Sequence, residues 1–171
     1  MLNLDTVKTN VAAVRLAAEA VKPQFDAVVE AAAVQVKGVA LLAPVKGEGR
    51  ALEKCINDYD GDVSRLKDLV RGTILVNTAA DAQAALTLLV NQGGIEVKRN
   101  WLPEEAKVPS PFYRDILVYL EVQGMKCELQ INTEAMAAAK CVGHKYYEKQ
   151  RSLKGRLSLL RTSPQRRSSY R

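Results

Sequence analysis

The sequence predicts an α/β protein in which helices flank a mixed β-sheet. Its elements follow the order helix, helix, strand, helix, strand, hairpin, helix, which is typical of a sheet covered by helices. The clearest strand is 126–132, where Cys127, Leu129 and Ile131 fall on one face and polar residues fall on the other. With 171 residues, 47% of them hydrophobic, the chain has the size of one domain with a proper core.

The N-terminal region is helical and rich in Ala and Val. Residues 4–36 carry apolar side chains at helical spacing, among them Val7 and Phe25. Pro23 is expected to break or kink this region into two helices. We expect residues 1–36 to be a helical segment that packs on the core and does no chemistry.

A glycine-containing loop opens the next helix. Residues 39–42 are a short apolar stretch that we interpret as a linker, and the helix is expected to begin near Arg50. Lys46, Arg50 and Lys54 recur every four residues, so a helix that extended back far enough would align them in one cationic stripe. Such a stripe near a helix N-terminus suits polyphosphate. A solvated helix face explains the same spacing, and the Gly-Lys-Ser/Thr ending of a Walker loop is absent.

Asp68 lies at the end of a predicted helical stretch, just before a predicted strand. Residues 64–69 have a helical pattern, and 73–76 have the pattern of a buried strand. A carboxylate just before a strand is a usual position for a functional residue, and a capping or turn aspartate is the alternative. The elements predicted next are a helix at 78–91, a strand at 95–98, a proline-containing loop at 101–110, the first hairpin strand at 116–122 and a last helix at 134–150.

The polar face of strand 126–132 is unusual for a solvated edge strand. It carries one carboxylate and two amides, from Glu128, Gln130 and Asn132. A solvated edge would more often carry Lys and Thr, although an edge strand is the simpler alternative. Together with the charged residues elsewhere, this composition favours a functional site on that face.

The net charge of +6 is concentrated at the C-terminus. Residues 151–171 contain seven basic residues and no acidic one, which leaves 18 basic and 19 acidic residues among the first 150, a net of −1. A nucleic-acid-binding field over the whole molecule is therefore not predicted. The tail suits RNA, phosphate or an acidic partner, and a disordered, solvated end is the alternative.

The sequence indicates neither a membrane span nor a secretory signal. No apolar run approaches the roughly 20 residues that cross a bilayer, and no basic region followed by an apolar block opens the chain. The odd number of cysteines, at Cys55, Cys127 and Cys141, argues against a disulfide framework. We therefore expect a reducing, cytoplasmic location.

Two motifs on the N-terminal side resemble those of the RelA/SpoT-type synthetases, which transfer pyrophosphate from ATP to a nucleotide. Lys46, Arg50 and Lys54 match the spacing of the family's Lys-x-x-x-Ser-x-x-x-Lys, with Arg50 in place of the serine. Asp68 matches the aspartate that opens a strand in the family. The family's Asp-x-x-Gly-x-Arg is altered here, so Arg71 would reach a phosphate from a different direction.

Three more motifs follow in the family's order. Residues 113–117 resemble Tyr-Arg-x-Ile-His but end in Leu117, and 128–133 resemble Glu-x-Gln-x-Arg-Thr but carry Asn132 in place of the arginine. Residues 143–145 resemble Glu-His-Lys. The two substitutions remove polar contacts to the nucleotide that accepts pyrophosphate, so they leave the identity of that acceptor open.

The resemblance implies a nucleotidyltransferase-like fold, a synthetase core at 37–150, a basic tail at 151–171 and a Mg²⁺–ATP site. Asp68 would carry Mg²⁺, and Glu128 would either assist the metal or accept the proton of the attacking hydroxyl. Tyr113 would stack on the acceptor base. The residues expected at the ATP phosphates are Lys46, Arg50, Lys54 and Arg71. The residues expected at the acceptor are Tyr113, Arg114, Gln130, Asn132, His144 and Lys145, although a lone histidine such as His144 is more often structural.

The resemblance therefore predicts an ATP-dependent pyrophosphokinase that acts on the ribose 3′-hydroxyl of GDP/GTP or ADP/ATP and makes an alarmone such as (p)ppGpp or (p)ppApp. It suits a stand-alone synthetase or a toxin, the latter acting in a target cell's cytoplasm and having an antitoxin or immunity protein as partner. One alternative is a toxin that modifies the 3′ end of tRNA, which the basic tail would bind. The other is a non-catalytic nucleotide-binding or interaction module, suggested by the substitutions at Arg50, Leu117 and Asn132.

Overall fold

The computed structural model describes residues 3–108 and 113–140. The helices are α1 (Leu4–Gln35), α2 (Glu48–Tyr59) and α3 (Ala79–Gln92), and the strands are β1 (Val39–Leu42), β2 (Arg71–Val76), β3 (Ile95–Asn100), β4 (Ile116–Val122) and β5 (Met125–Thr133). A further helix, α4, begins at residue 134, and its described part reaches residue 140. The predicted mixed sheet with flanking helices is confirmed.

The sheet has the strand order β1-β2-β5-β4-β3, so β5 lies at its centre and not at an edge. β5 runs parallel to β2 and antiparallel to β4. The predicted hairpin between β4 and β5 is confirmed, and its turn consists of Gln123 and Gly124 with φ of 50° and 77°. Positive φ at both turn positions gives the twist that a two-residue hairpin needs.

The predicted separation of the two faces of β5 is also confirmed. Cys127, Leu129 and Ile131 are fully buried, in the core that α1 and α3 form with the sheet. Phe25 of α1 packs so closely on β2 that a Cβ at Gly72 would lie 3.1 Å from its ring. The helices therefore cover the apolar face, and the polar face of β5 remains available for a site.

Three predictions of local structure were wrong. Pro23 lies inside one continuous helix α1, because buried residues on both sides of it, such as Val21 and Phe25, hold the helix on the core. Residues 39–42 are not a linker but strand β1, which pairs with β2. The helix expected at 64–69 is only a 3-10 turn, Val63–Arg65.

Within the described residues, no helix combines the length and the apolar character that crossing a membrane requires.

Candidate active site

Two lysines converge on Asp68 at one end of the sheet. Lys46 Nζ lies 2.5 Å and Lys54 Nζ lies 2.7 Å from the same oxygen, Asp68 Oδ2. Because α2 begins at Glu48, Lys46 precedes the helix and Lys54 lies within it. The backbone N–H of Lys46 donates to the carbonyl of Leu69 at 2.9 Å and holds the two segments together. We call Lys46, Lys54 and Asp68 the donor cluster.

Asp68 and Lys54 favour each other's charged forms. Asp68 is only 8% exposed, and burial alone would raise its pKa, but the hydrogen bonds from both lysines outweigh burial and hold that pKa below its usual value. Burial lowers the pKa of Lys54, and the contact with Asp68 more than reverses this, so the pKa is raised. With two cations and one anion, the cluster carries a net positive charge that suits phosphate.

The second oxygen of Asp68 is the feature of the cluster that fits a metal ion. Among the described residues, Asp68 Oδ1 has no hydrogen-bond partner although it is buried, and buried polar atoms normally have one. Mg²⁺ takes oxygen ligands, commonly one or two carboxylates together with substrate phosphates. The described part of the chain contains no group of three or more His, Cys, Asp or Glu that would hold a metal by protein ligands alone. The site therefore fits a metal that arrives with its phosphate ligands.

The third cation of the predicted stripe lies apart from this cluster. Arg50 has a side chain that is 64% exposed, and it pairs with Glu53 at 3.3 Å. The helix starts too late to align Arg50 with Lys46, because Lys46 is outside the helical register. The structure brings together two of the three stripe residues, and a phosphate-binding role for Arg50 stays a prediction.

Glu128 lies on the polar face at the centre of the sheet. Its neighbours in register are Arg71 on β2 and Tyr119 on β4, so the three side chains share that face. Glu128 Oε1 accepts a hydrogen bond from Gln130 Nε2 at 3.1 Å. Burial raises the pKa of Tyr119, and the charges of Glu128 and Asp68 raise it further. Both carboxylates therefore act on the same tyrosine, which the sequence analysis did not single out.

Arg71 also carries an unsatisfied polar atom. Within the described residues, its buried Nε has no hydrogen-bond partner. Arg71 opens β2, three residues after Asp68, and faces Glu128 across the parallel strands. Its position beside Glu128, three residues after Asp68, agrees with the predicted phosphate contact, which stays a prediction.

A second ion pair, between a partly exposed arginine and a buried aspartate, lies on the β4 side of Glu128. Asp115 is fully buried, and Arg99 donates to both of its oxygens at 2.7 Å. The hydroxyl of Tyr113 donates to Asp115 Oδ2 at 2.9 Å and accepts from Asn132 Nδ2 at 3.3 Å. Burial is the main reason that the pKa of Tyr113 rises to about 12. We call Arg99, Tyr113, Asp115 and Asn132 the acceptor-side network.

Arg114 is directed to the neighbouring loop in this structure. Its Nη1 donates to the carbonyls of Trp101 at 2.9 Å and Pro103 at 2.5 Å. These bonds hold the loop after β3 against the segment before β4. The structure does not bring Arg114 to Glu128 or Asp68. His144 and Lys145 and the basic tail lie outside the described residues.

Lys140 is a candidate site residue that the sequence analysis missed. Its ammonium donates to Gln130 Oε1 and lies 5.6 Å from the centre of the Tyr113 ring. It therefore contacts two residues predicted at the acceptor. A signal was present in the sequence, because Lys140 lies seven residues, about two helical turns, after the end of β5 at Thr133. A residue at that spacing returns to the side of the helix that faces the strand end.

The chain is similar to known proteins in both sequence and fold. No protein-family model matches the chain. The chain is 34% identical over 160 residues to the (p)ppApp synthetase toxin Tas1 of Pseudomonas aeruginosa (strain UCBPP-PA14), an alignment that covers 80% of this chain and 36% of that protein. The chain thus spans about a third of the length of this curated relative.

Two solved structures share the fold. The Type VI effector Tas1 in complex with its immunity protein has a TM-score of 0.61 and 25% identity, covering 96% of this chain and 88% of that one. The small alarmone synthetase 1 from Bacillus subtilis bound to its product pppGpp has a TM-score of 0.59 and 16% identity, covering 77% of each chain. The predicted nucleotidyltransferase-like fold is therefore confirmed.

Proposed function

Because the chain belongs to the RelA/SpoT-type synthetase family by its sequence and its fold, we propose that it transfers pyrophosphate from ATP to the 3′-hydroxyl of a purine nucleotide. The observation that carries this proposal is the donor cluster. Two lysines hold one oxygen of Asp68, and the other oxygen has no partner among the described residues. The chain thus presents cations and a carboxylate oxygen together, as phosphoryl transfer from a metal-bound nucleotide requires.

The donor cluster would bind the phosphates of ATP. Lys46 and Lys54 supply positive charge for the phosphate oxygens, and Arg71 adds a third cation from the start of β2. Asp68 would hold Mg²⁺, which when bound neutralises charge on the phosphates during transfer. Lysine suits this task because its ammonium moves on a flexible stem and can exchange Asp68 for a phosphate.

Glu128 would act as the general base. It lies between the donor cluster and the acceptor-side network, and the Gln130 amide that donates to it at 3.1 Å fixes its carboxylate. Glu128 would take the proton of the 3′-hydroxyl as that oxygen forms a bond to the β-phosphorus of ATP. The bond between the β-phosphorus and the oxygen bridging it to the α-phosphorus breaks, and AMP leaves with that oxygen.

The acceptor would lie on the side of Tyr113. Tyr113, Gln130 and Asn132 gather there, and Lys140 adds a cation that could meet an acceptor phosphate. Similarity to a protein named as a (p)ppApp synthetase supports an adenine nucleotide, ADP or ATP, as the acceptor. GDP and GTP are the alternative. We propose residues 37–150 as the synthetase core, with α1 completing its hydrophobic core.

The likeness to the complex of Tas1 with its immunity protein supports a further proposal about partners. We propose that this chain is a toxin that acts in the cytoplasm of a target cell and that a cognate immunity protein inhibits it. The alternative of tRNA modification rests on the basic tail, which lies outside the described residues, so tRNA serves as one arm of the test below.

The experiment follows the label from ATP labelled on its terminal phosphate, with Mg²⁺ and, in separate reactions, no added acceptor, ADP, GDP, GTP or bulk tRNA. Thin-layer chromatography separates the products. We expect label on a new product, ADP or ATP that carries a 3′-pyrophosphate, together with release of AMP. Glu128→Gln should reduce the rate at least roughly 100-fold, as loss of a general base does. Omission of Mg²⁺ should have a similar effect.

Glu121→Gln is the matched control, because Glu121 is an exposed glutamate of the same sheet at the hairpin end of β4. It should react like the unmodified protein. Absence of transfer to every acceptor, in protein that binds ATP by calorimetry, would overturn the proposal in favour of a nucleotide-binding module. Label on tRNA alone would support the tRNA-modifying toxin instead.

A further inference from the structure

The ion pair of Arg99 and Asp115 has no role in the reaction described above, although its hydrogen bonds are short and both carboxylate oxygens are used. Asp115 is fully buried, and its two oxygens take two bonds of 2.7 Å from Arg99 and one of 2.9 Å from Tyr113. The guanidinium of Arg99 also stacks on Trp101, 4.5 Å from the ring centre. Both oxygens of this carboxylate thus accept hydrogen bonds from residues of the acceptor-side network.

Stability alone is a weak explanation for this pair. Burying a carboxylate and a guanidinium loses hydration, and their attraction often only offsets that loss, so apolar residues would serve a core equally well. The pair also bridges two segments of the chain, since Arg99 lies one residue before the end of β3 and Asp115 precedes β4. It joins the edge of the sheet to the segment that carries Tyr113.

The pair fixes the orientation of Tyr113. The phenolic oxygen uses its proton toward Asp115 and accepts from Asn132 on β5. A tyrosine whose hydroxyl is held in both ways cannot swing its ring freely. The backbone on the far side of Asp115 is fixed as well, because its carbonyl accepts from the N–H of Trp101 at 2.9 Å.

We propose that Arg99 and Asp115 are positioning residues that hold the ring of Tyr113 as the platform on which the acceptor base stacks. This inference rests on the proposed function and names how its acceptor is recognised. A ring that is already fixed before binding loses little conformational entropy when the base binds, because the side chain was ordered during folding. The network therefore affects the acceptor and leaves ATP binding at the donor cluster unchanged.

The test uses two variants that perturb the network to different degrees. Tyr113→Phe keeps the ring and the ion pair but removes the hydroxyl, so it leaves the fold intact. Asp115→Asn keeps the size of the side chain and removes its charge. Glu96→Gln is the matched control, because Glu96 pairs with Lys126 at 2.5 Å on the same sheet but is exposed.

The readouts separate positioning from general damage. Steady-state rates with ADP as the acceptor, measured at fixed ATP and then at fixed ADP, give KM for the acceptor and for ATP separately. Trp101 is the single tryptophan of the chain, and its contact with Arg99 makes its fluorescence a report of acceptor binding that needs no turnover. Thermal unfolding shows whether each variant is folded.

We expect acceptor KM and Kd to rise about tenfold in Asp115→Asn and about threefold or more in Tyr113→Phe, since ordering of a binding side chain contributes to affinity at this scale. The ATP KM should change less than twofold, and Glu96→Gln should match the unmodified protein. The double variant should be no worse than Asp115→Asn, because both changes act through one ring.

The outcomes distinguish this inference from the proposed function. Unmodified protein that transfers pyrophosphate, with unchanged acceptor KM and Kd in Tyr113→Phe, overturns the positioning role alone. Equal losses for ATP and the acceptor also overturn it, since they indicate a structural role. Unmodified protein that neither transfers pyrophosphate nor binds a purine nucleotide overturns the proposed function and this inference together.

Discussion

Asp68 and Asp115 are two buried aspartates that differ in how their oxygens are used. Asp68 offers one oxygen to two lysines, and its other oxygen has no partner within the described residues. Asp115 has both oxygens engaged, in a fork with Arg99 and in a bond to Tyr113. One carboxylate can take a new ligand, and the other is complete.

The basic partners differ in the same way. Lysine is a point charge on a flexible stem, whereas the planar guanidinium of arginine matches a carboxylate in one fixed geometry. The donor cluster therefore suits an exchange of partners when phosphate and metal arrive. The acceptor-side network suits a geometry that persists. We therefore propose that charged groups of similar composition serve binding on one side of Glu128 and positioning on the other.

The largest expected effect comes from replacing the carboxylate of Asp68 with an amide. Asp68→Asn removes the metal-binding charge and leaves Lys46 and Lys54 without their anion. We expect the transfer rate to fall at least about 100-fold, as when one group that stabilises a charged transition state is lost. Initial rates over a Mg²⁺ series would measure this.

The comparison predicts that this variant leaves the other side unaffected. Acceptor binding followed by Trp101 fluorescence should not change in Asp68→Asn. Asp58→Asn, an exposed position on α2, is the control for loss of one negative charge. If acceptor affinity fell as much as the rate, the two sides would not be independent, and the comparison would be wrong.

A smaller effect is expected at Lys140, the flexible cation on the acceptor side. Its ammonium contacts Gln130 and lies over the Tyr113 ring. Lys140→Ala should raise acceptor KM about tenfold, in the range expected for a charge-assisted contact, and Lys140→Arg should restore most of it. Steady-state kinetics with nucleoside tri-, di- and monophosphate acceptors would measure both.

The acceptor series tests what Lys140 binds. If the ammonium meets acceptor phosphates, the loss in Lys140→Ala should diminish as phosphates are removed from the acceptor. Lys8→Ala removes one exposed positive charge of α1 and should leave KM unchanged. An equal loss for every acceptor would contradict phosphate recognition.

The sequence predicted the parts of this comparison that depend on local pattern. Alternation identified the faces of β5, and its polar face holds Glu128 and Gln130 as expected. Resemblance to the family pointed to Lys46, Lys54 and Asp68, which the structure brings together. They converge because the loop before α2 and the helix α2 itself lie beside the segment that precedes β2.

The parts that were missed depend on contacts between distant segments. The strand β1 has four residues, and only its pairing with β2 distinguishes it from a linker. Arg99 and Asp115 are 16 residues apart and meet because β3 and β4 are neighbours. The spacing of residues in the sequence does not predict such a contact, because it depends on which strands are neighbours in the sheet.

The smallest expected effect concerns stability in acid, and it sharpens the comparison at Asp68. The folded pKa of Asp68 is lowered, because the bonds from Lys46 and Lys54 outweigh burial. The ionised carboxylate therefore stabilises the fold above its unfolded pKa of about 4. This contribution is lost as the pH falls through the lowered folded pKa. Urea unfolding at pH 7 should show Asp68→Asn less stable than the unmodified protein, and the difference should shrink below about pH 4. A difference that stayed constant down to pH 3 would mean that packing, and not charge, is what Asp68 contributes to stability.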